Sequence, residues 1–438
     1  MDERGGDSGQ GVGRRSFNRT RDWVLLGVLS ALLIVWAVVT WRTSDLRATT
    51  SETAPGAPLT PAAPVEFPLS LGEVWRAESP ATPVPAVTGP TVVTAGGNEV
   101  QGRDPRTGDV RWRYARDLTL CTVAPIDTVP PQRLEVPRNV IALYGTDGGL
   151  LPAGDSRVGG GCSEATSLDG GTGARAAARH LDSEFGTRLF GDGDHVTSTG
   201  ARFVINMRSD LVTASYYGTR PTIVWSRPNL RKGCAYGSMG LWGGRAGVIE
   251  RCPGEAGDRL TVYRVQTAPG KDPDEVEEVF SLLTGPSARL VAMTDSHIAI
   301  ALPDPARVVV FDQAGQQVGE YPVQVPDGEL RADPPGRVVS GFLGGSAFYW
   351  HTGTVTVALS RDDLRPLWRV EGALGAGVEF AGRLLVPRAG ELAVVDPVSG
   401  AVGGRFPVDR GDHTGPVAMS TIGPIVLEQR GSTLVALR

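Results

Sequence analysis

The sequence predicts an all-β domain: an eight-bladed β-propeller closed by its own N-terminal strand and preceded by one transmembrane helix. Three observations lead there: a turn motif that recurs along the chain, a regular succession of short apolar runs, and an uncharged apolar stretch near the N-terminus. The motif is clearest at Asp104-Pro105-Arg106-Thr107-Gly108, which leads into Asp109-Val110-Arg111-Trp112. Leu168–Gly173 and Val395–Gly400 repeat its first half, and Phe311–Gly315 is a shortened copy. In each copy a β-rich run ends in Asp, a tight turn closes on Gly, and another extended run follows. Asp accepts bonds from backbone amides two residues on, and Gly adopts the positive φ that such turns need. A turn unit repeated along a β-rich chain marks a repeat fold.

The N-terminus sets the address. Trp23 to Trp41 carries no charge and is rich in Leu, Val and Ala. At about 1.5 Å per residue it spans roughly 28 Å, close to the hydrocarbon thickness of a bilayer. Arg14, Arg15, Arg19 and Arg21 precede it and only Arg42 and Arg47 follow closely, which predicts a cytoplasmic N-terminus and an extracytoplasmic remainder. Arg14-Arg15-Ser16-Phe17 also resembles the core of a twin-arginine export signal, which would be cleaved. The run is long for a signal and no small-x-small site follows it, so a retained anchor is the preferred expectation. Residues 1–22 are expected to be a disordered cytoplasmic stub. Residues 42–68, rich in Pro, Thr and Ala, are expected to be a solvated linker reaching about 80 Å at ~3.1 Å per residue.

From 69 to 438 the chain reads as strand after strand. Segments containing Pro90–Ala95, Asn139–Tyr144, Ala201–Met207, Gly247–Cys252, His297–Leu302, Ser346–Trp350, Arg383–Val386 and Gly423–Glu428 look equivalent. Their starts lie about 37 to 62 residues apart, the spacing of four-stranded blades. That makes eight units, or seven if the third or fourth is an insertion. The last unit stops at Arg438, where its turn and outer strand should follow. Ser70-Leu71-Gly72-Glu73-Val74-Trp75 supplies the missing piece, being a copy of 107–112 one residue short. The N-terminal strand is therefore expected to complete the final blade and remove an exposed sheet edge. Trp75, Trp112, Trp225 and Trp368 fall in the last strand of their units, where an indole packs between blades.

An extended run, then Asp-Pro-x-Thr-Gly, then an extended run and a Trp, resembles the PQQ-like β-propeller repeat. The likeness covers about Leu69 to Arg438, with good copies only at 104–112 and 70–75. That family includes quinoprotein alcohol dehydrogenases and non-enzymatic BamB-type envelope lipoproteins, both eight-bladed. Its enzymes set an adjacent Cys-Cys pair against the cofactor, a Trp beneath it and acidic residues on calcium. No two cysteines are adjacent here, and no matching Asp/Glu and Asn set can be carried over. No catalytic, cofactor-binding or metal residue is assigned, and no cofactor is expected.

All four cysteines lie on the extracytoplasmic side by this topology, and an even number in an oxidising compartment predicts two disulfides. Cys234 and Cys252 flank Trp242-Gly243-Gly244 symmetrically, as partners across a hairpin would; Cys121 and Cys162 are left to pair. His180, His195, His297, His351 and His413 show no ligand spacing. His195, His297 and His413 each follow an acidic turn and could ring a central channel, but polar residues at strand entry are the preferred reading. Arg410-Gly411-Asp412 is a tripeptide too short to weigh. A net charge of −5 gives no reason to expect a nucleic-acid partner.

The expected function is that of a non-catalytic, membrane-tethered protein-interaction scaffold of the cell envelope. Its partner surface is sought in the loops Pro125–Pro137, Gly145–Gly161 and Ala268–Glu275. The alternatives are a PQQ-dependent dehydrogenase-like enzyme and a cell-wall glycan-binding module. A glycan site would draw on Tyr216-Tyr217 or Tyr349-Trp350, although blade core is the preferred reading of both pairs.

Overall fold

The computed structural model describes residues 20–42, 47–56, 59–64, 66–125, 139–146, 161–180, 188–191, 195–199, 203–208, 223–228, 233–264, 277–331 and 341–438. It divides into two units, Met1–Thr50 and Ser51–Arg438. The first holds a helix, Thr20–Arg42, whose apolar span Trp23–Trp41 is long and apolar enough to cross a bilayer. Its Leu, Val and Trp side chains are exposed throughout, so no face of it is covered by protein.

In the second unit the described strands form eight antiparallel sheets. Each has four strands in simple up-and-down order, and the first sheet carries a fifth, Thr49–Glu52, on its outer edge. Sheet one runs through Ala86–Thr88, Thr91–Gly96, Glu99–Arg103 and Val110–Arg116. Sheet two runs from Thr119–Pro125 to Arg175–His180, sheet three from Arg188–Gly191 to Ile223–Pro228, and sheet four from Ala235–Trp242 to Glu277–Leu283. Sheet five starts at Arg289–Met293, sheet six at Gly341–Leu343, sheet seven at Val378–Phe380 and sheet eight at Val417–Ile422. First strands of successive sheets lie side by side where sheets one to five follow one another, and that of sheet eight lies beside those of sheets seven and one.

The fourth strand of sheet eight is Glu73–Glu78, paired antiparallel with Thr433–Leu437. Beyond the ladder, Gly72 and Arg438 exchange two backbone bonds of 2.9 and 2.8 Å. In sheet one the corresponding amide, that of Asp104, bonds the Asp109 carbonyl at 2.9 Å. Arg438 thus stands where another sheet has its turn aspartate, and Gly72 stands where it has the residue after the closing glycine.

Second strands of seven sheets lie where the repeat places them. The third is displaced by one strand: Phe203–Arg208 is the third strand of its sheet, and His195–Thr199 is the second. His195–Thr199 is short and polar, Val196 aside, so apolar patterning passed over it in favour of the next run.

The recurring turns share one hydrogen-bond set. The Asp104, Asp169 and Asp396 carbonyls each accept the amide of the closing glycine, at 2.9, 2.7 and 2.9 Å. Their carboxylates accept amides two or three residues on. Bonds from the Ser399 amide and hydroxyl hold the Asp396 carboxyl below its ordinary range. Ser360–Leu364 makes the same turn with Ser at the opening position and Leu at the closing one, Leu364 standing at φ 55°.

What each glycine permits is visible in the next sheet. Trp75 of sheet eight lies on Gly108 of sheet one, where a Cβ would stand 2.8 Å from the indole. Trp112 of sheet one lies on Gly173 of sheet two, and Trp368 of sheet six on Gly400 of sheet seven; there a Cβ would stand 2.6 Å from each indole. Phe280 of sheet four sits on Gly315 of sheet five in the same way. Trp75 and Trp112 also donate Nε1–H to turn carbonyls, Pro105 at 2.8 Å and Gly170 at 2.9 Å. Trp225 lies in the last strand of sheet three, opposite Asn206, but its side chain is outside what is described.

The predicted linker 42–68 differs from expectation from residue 51 onward. Ala54 is buried and its amide donates to the Thr172 carbonyl at 2.9 Å. Arg111 Nη2 donates to the Gly56 carbonyl at 2.9 Å, Pro61 is packed on Gly423, and Phe67 stacks on Phe406. Prolines and small residues read as a spacer by composition, yet an extended chain with few side-chain demands also lies well along a sheet surface.

The dock is testable with paired variants. Trp112→Ala is expected to cost about 3–5 kcal/mol in urea unfolding. Gly173→Ala combines a backbone cost of about 1–2 kcal/mol with displacement of the indole. Gly97→Ala, at φ 62° with open space around it, should pay only the backbone part. Equal losses in the two glycine variants would show that the Trp contact contributes nothing.

Candidate functional site

The strands of each sheet alternate in direction, so first strands begin, and second strands end, on one face. Both disulfides lie there. Cys234 precedes the first strand of sheet four and Cys252 follows the second, with Ala235 paired to Arg251 between them and a Cα separation of 4.0 Å. Cys121 and Cys162 bond across the second strand of sheet two, with a Cα separation of 6.0 Å. Closing chain separations of 41 and 18 residues removes about 4 and 3 kcal/mol of unfolded-chain entropy on a loop-closure account. Pairing uses all four cysteines.

The same face carries a cavity of about 700 Å³ between sheets seven and eight. Leu374, Ala389 and Gly390 form one side, and the connection Pro407–Thr414 forms the other. Arg410 turns away from it into the protein, its side chain 3 % exposed. It donates to both oxygens of Glu428, at 2.6 and 3.1 Å, and to the Arg388 carbonyl at 2.7 Å. Arg430 adds a third charge-assisted bond to Glu428 at 2.7 Å and a bond to the Asp409 carbonyl at 3.0 Å. Two guanidinium groups on one wholly buried carboxylate brace the cavity wall, and the donors of Arg410 are directed to protein acceptors. Asp409 and His413 complete the polar lining; His413 Nε2 sits 3.1 Å from the Pro416 carbonyl.

The tripeptide Arg410-Gly411-Asp412 therefore has its arginine inside the fold. His297 opens the second strand of sheet five, whereas His413 precedes the first strand of sheet eight, on the opposite face. The two are not equivalent, and a ring containing both does not form. His195 opens the second strand of sheet three; its side chain and that of His180 lie outside the described part. Tyr349 and Trp350 are buried in the sheet core. The Tyr349 hydroxyl donates to Glu379 at 2.8 Å, and burial raises its pKa. Tyr216-Tyr217, Ala268–Glu275, and most of Pro125–Pro137 and Gly145–Gly161 lie outside the described residues.

His351 is 2 % exposed with Nε2 3.2 Å from the Ala373 carbonyl, and burial lowers its pKa. Glu250 is buried likewise, accepting from Tyr263 at 2.9 Å and Thr261 at 3.1 Å. Among the described residues, no three His, Cys, Asp or Glu side chains are grouped as a metal ligand set. The internal pair Arg410–Glu428 escaped sequence reading. Its one signal was Val426-Leu427-Glu428-Gln429-Arg430, a strand whose polar residues prove as buried as its apolar ones.

Solved structures similar to this chain share its architecture. The computationally designed Ika8 protein superposes with a TM-score of 0.52 at 14 % identity, over 83 % of this chain and 98 % of its own. Quinohemoprotein alcohol dehydrogenase ADHIIG from Pseudomonas putida HK5 does so with a TM-score of 0.50 at 10 % identity, over 88 % and 80 %. The fold is a PQQ-like β-propeller. No family model and no curated protein matches the sequence. The cysteines are tied into pairs remote in sequence, and no carboxylate cluster converges among the described residues.

Two outcomes check the buried groups. Glu428→Gln removes the charge shared by Arg410 and Arg430 and is expected to cost about 3–5 kcal/mol by chemical denaturation. For His351 the folded pKa lies below the unfolded one, so the unfolded chain takes up the proton first on acidification. Its contribution is fully present above the unfolded value of about 6.5 and is lost as pH falls below it. Replacement by Gln should flatten the fall in melting temperature between about pH 7 and pH 5.

Proposed function

We propose that this chain is a non-catalytic, membrane-tethered extracytoplasmic scaffold: an eight-bladed propeller closed through its N-terminal strand and held to the membrane by Trp23–Trp41. The observation that carries this reading is how the conspicuous polar and aromatic residues are used. The repeated Asp residues cap turns, the tryptophans bind the neighbouring sheet, and Glu428 binds two arginines, so each serves the disc itself. Two disulfides support an oxidising compartment. The pairing of Glu73–Glu78 with Thr433–Leu437, together with Trp75 on Gly108, supports closure between sheets eight and one.

The face with both disulfides and the cavity is the surface we assign to a partner. Two disulfides and the Arg410–Glu428–Arg430 group hold its described parts in place, which lowers the ordering entropy lost on binding there. The partner class is another envelope protein, with a cell-wall glycan as the alternative occupant.

The fold likeness to quinohemoprotein alcohol dehydrogenase favours one second reading, a PQQ-dependent enzyme. Adding PQQ and calcium to purified protein separates the two: the scaffold predicts no stoichiometric cofactor absorbance, and its appearance would overturn that reading. Proximity labelling in intact cells, with the helix present, should enrich one envelope protein over its abundant neighbours. Enrichment of none, combined with binding of purified protein to cell-wall polymer, would replace the protein partner by a glycan.

A further inference from the structure

At the boundaries eight–one, one–two, four–five and six–seven, successive sheets are sealed at corresponding points by one large and one small residue. The large residue is usually aromatic, in the fourth strand four positions after the turn's closing residue, as Trp112 is after Gly108 and Trp368 after Leu364. The small one is the closing glycine of the next sheet. Between sheets five and six the sizes are exchanged: sheet five has Gly319 at the strand position, with Tyr321 folded over it. Sheet six has Leu364 as its closing residue, wholly buried in a cluster with Val323 and Tyr321.

The boundary between sheets seven and eight lacks both parts. Four positions after Gly400 stands Gly404, around which a Cβ would meet only ordinary contacts with Val394. In sheet eight the third and fourth strands are joined at that point by the paired backbones of Gly72 and Arg438, so no closing glycine stands there. Phe67 lies at this boundary. Its ring stacks on Phe406 of sheet seven, centroids 5.5 Å apart and planes at 23°, and meets Phe380 edge-on at 6.4 Å. Together with buried Leu71 it joins a cluster made of Phe380, Phe406 and Val408 from the sheet-seven side and Val426, Val435 and Leu437 from sheet eight.

We infer that Phe67 is the sealing residue of the split sheet, supplied by the preceding segment because neither neighbouring sheet can supply it. The segment Ala54–Phe67 is then a clasp across the seam rather than a spacer. Its backbone is fastened to sheets two and one by Thr172 and Arg111, and its apolar side chains rest on sheets eight and seven at Gly423 and Phe406. This goes beyond the scaffold reading and holds whether or not the domain has a partner.

Hydrogen exchange on the full-length protein in detergent tests it. Phe67→Ala should speed amide exchange several-fold in Val402–Pro407, Glu73–Glu78 and Thr433–Leu437, leaving sheets four and five at wild-type rates. Phe67→Leu, which keeps apolar volume, should fall between, and Leu69→Ala, at a fully exposed side chain, should change nothing. Unchanged exchange at the seam in Phe67→Ala would overturn the inference. So would acceleration spread evenly over all sheets, which would make Phe67 an ordinary core residue.

Discussion

The structure depends on a contact that recurs between neighbouring sheets among the described residues, in which a large side chain of one outer strand lies against the turn of the next sheet. A four-stranded sheet cannot bury both faces alone, and its twisted surfaces leave a wedge-shaped gap at the outer edge that only a flat, bulky group fills. The indole fills it best where nothing projects from the turn. That requirement explains the closing glycine twice over: positive φ makes the turn, and the missing Cβ leaves room for the ring. The Asp that opens the turn holds its amides so that the glycine is presented to the ring.

The exceptions obey the same constraint. Leu364 adopts a left-handed conformation unfavourable to a branched side chain, and the cost is offset by wholly burying that side chain where the neighbouring strand has glycine. At the seam the paired backbones of Gly72 and Arg438 stand where a turn would, and the aromatic, Phe67, comes from outside the sheet. At these two boundaries the bulk comes from a different residue, Leu364 in one and Phe67 in the other.

On the other face the fold is held by different means. Disulfides tie sheets two and four, and between sheets seven and eight a buried carboxylate is shared by two arginines. Removing either kind of partner leaves a buried group without compensation, so this face is costly to disturb.

The repeat, both cysteine pairs and the pairing of Glu73–Glu78 with the last strand were legible in the sequence, because each rests on local chemistry: turn residues at fixed offsets, alternating apolar runs, symmetric spacing about a hairpin. The second strand of sheet three was not, since polar His195–Thr199 lacks apolar alternation. The turn at Ser360–Leu364 opens on Ser instead of Asp and closes on Leu instead of Gly. Glu428 with its arginines, the opposite placement of His297 and His413, and the docking of 51–68 are relations between residues far apart in the chain. Only the tertiary structure decided them, because burial and proximity depend on which sheet lies beside which. Composition alone makes Pro61 and Phe67 look like part of a spacer; the open turn of sheet eight makes them part of the domain.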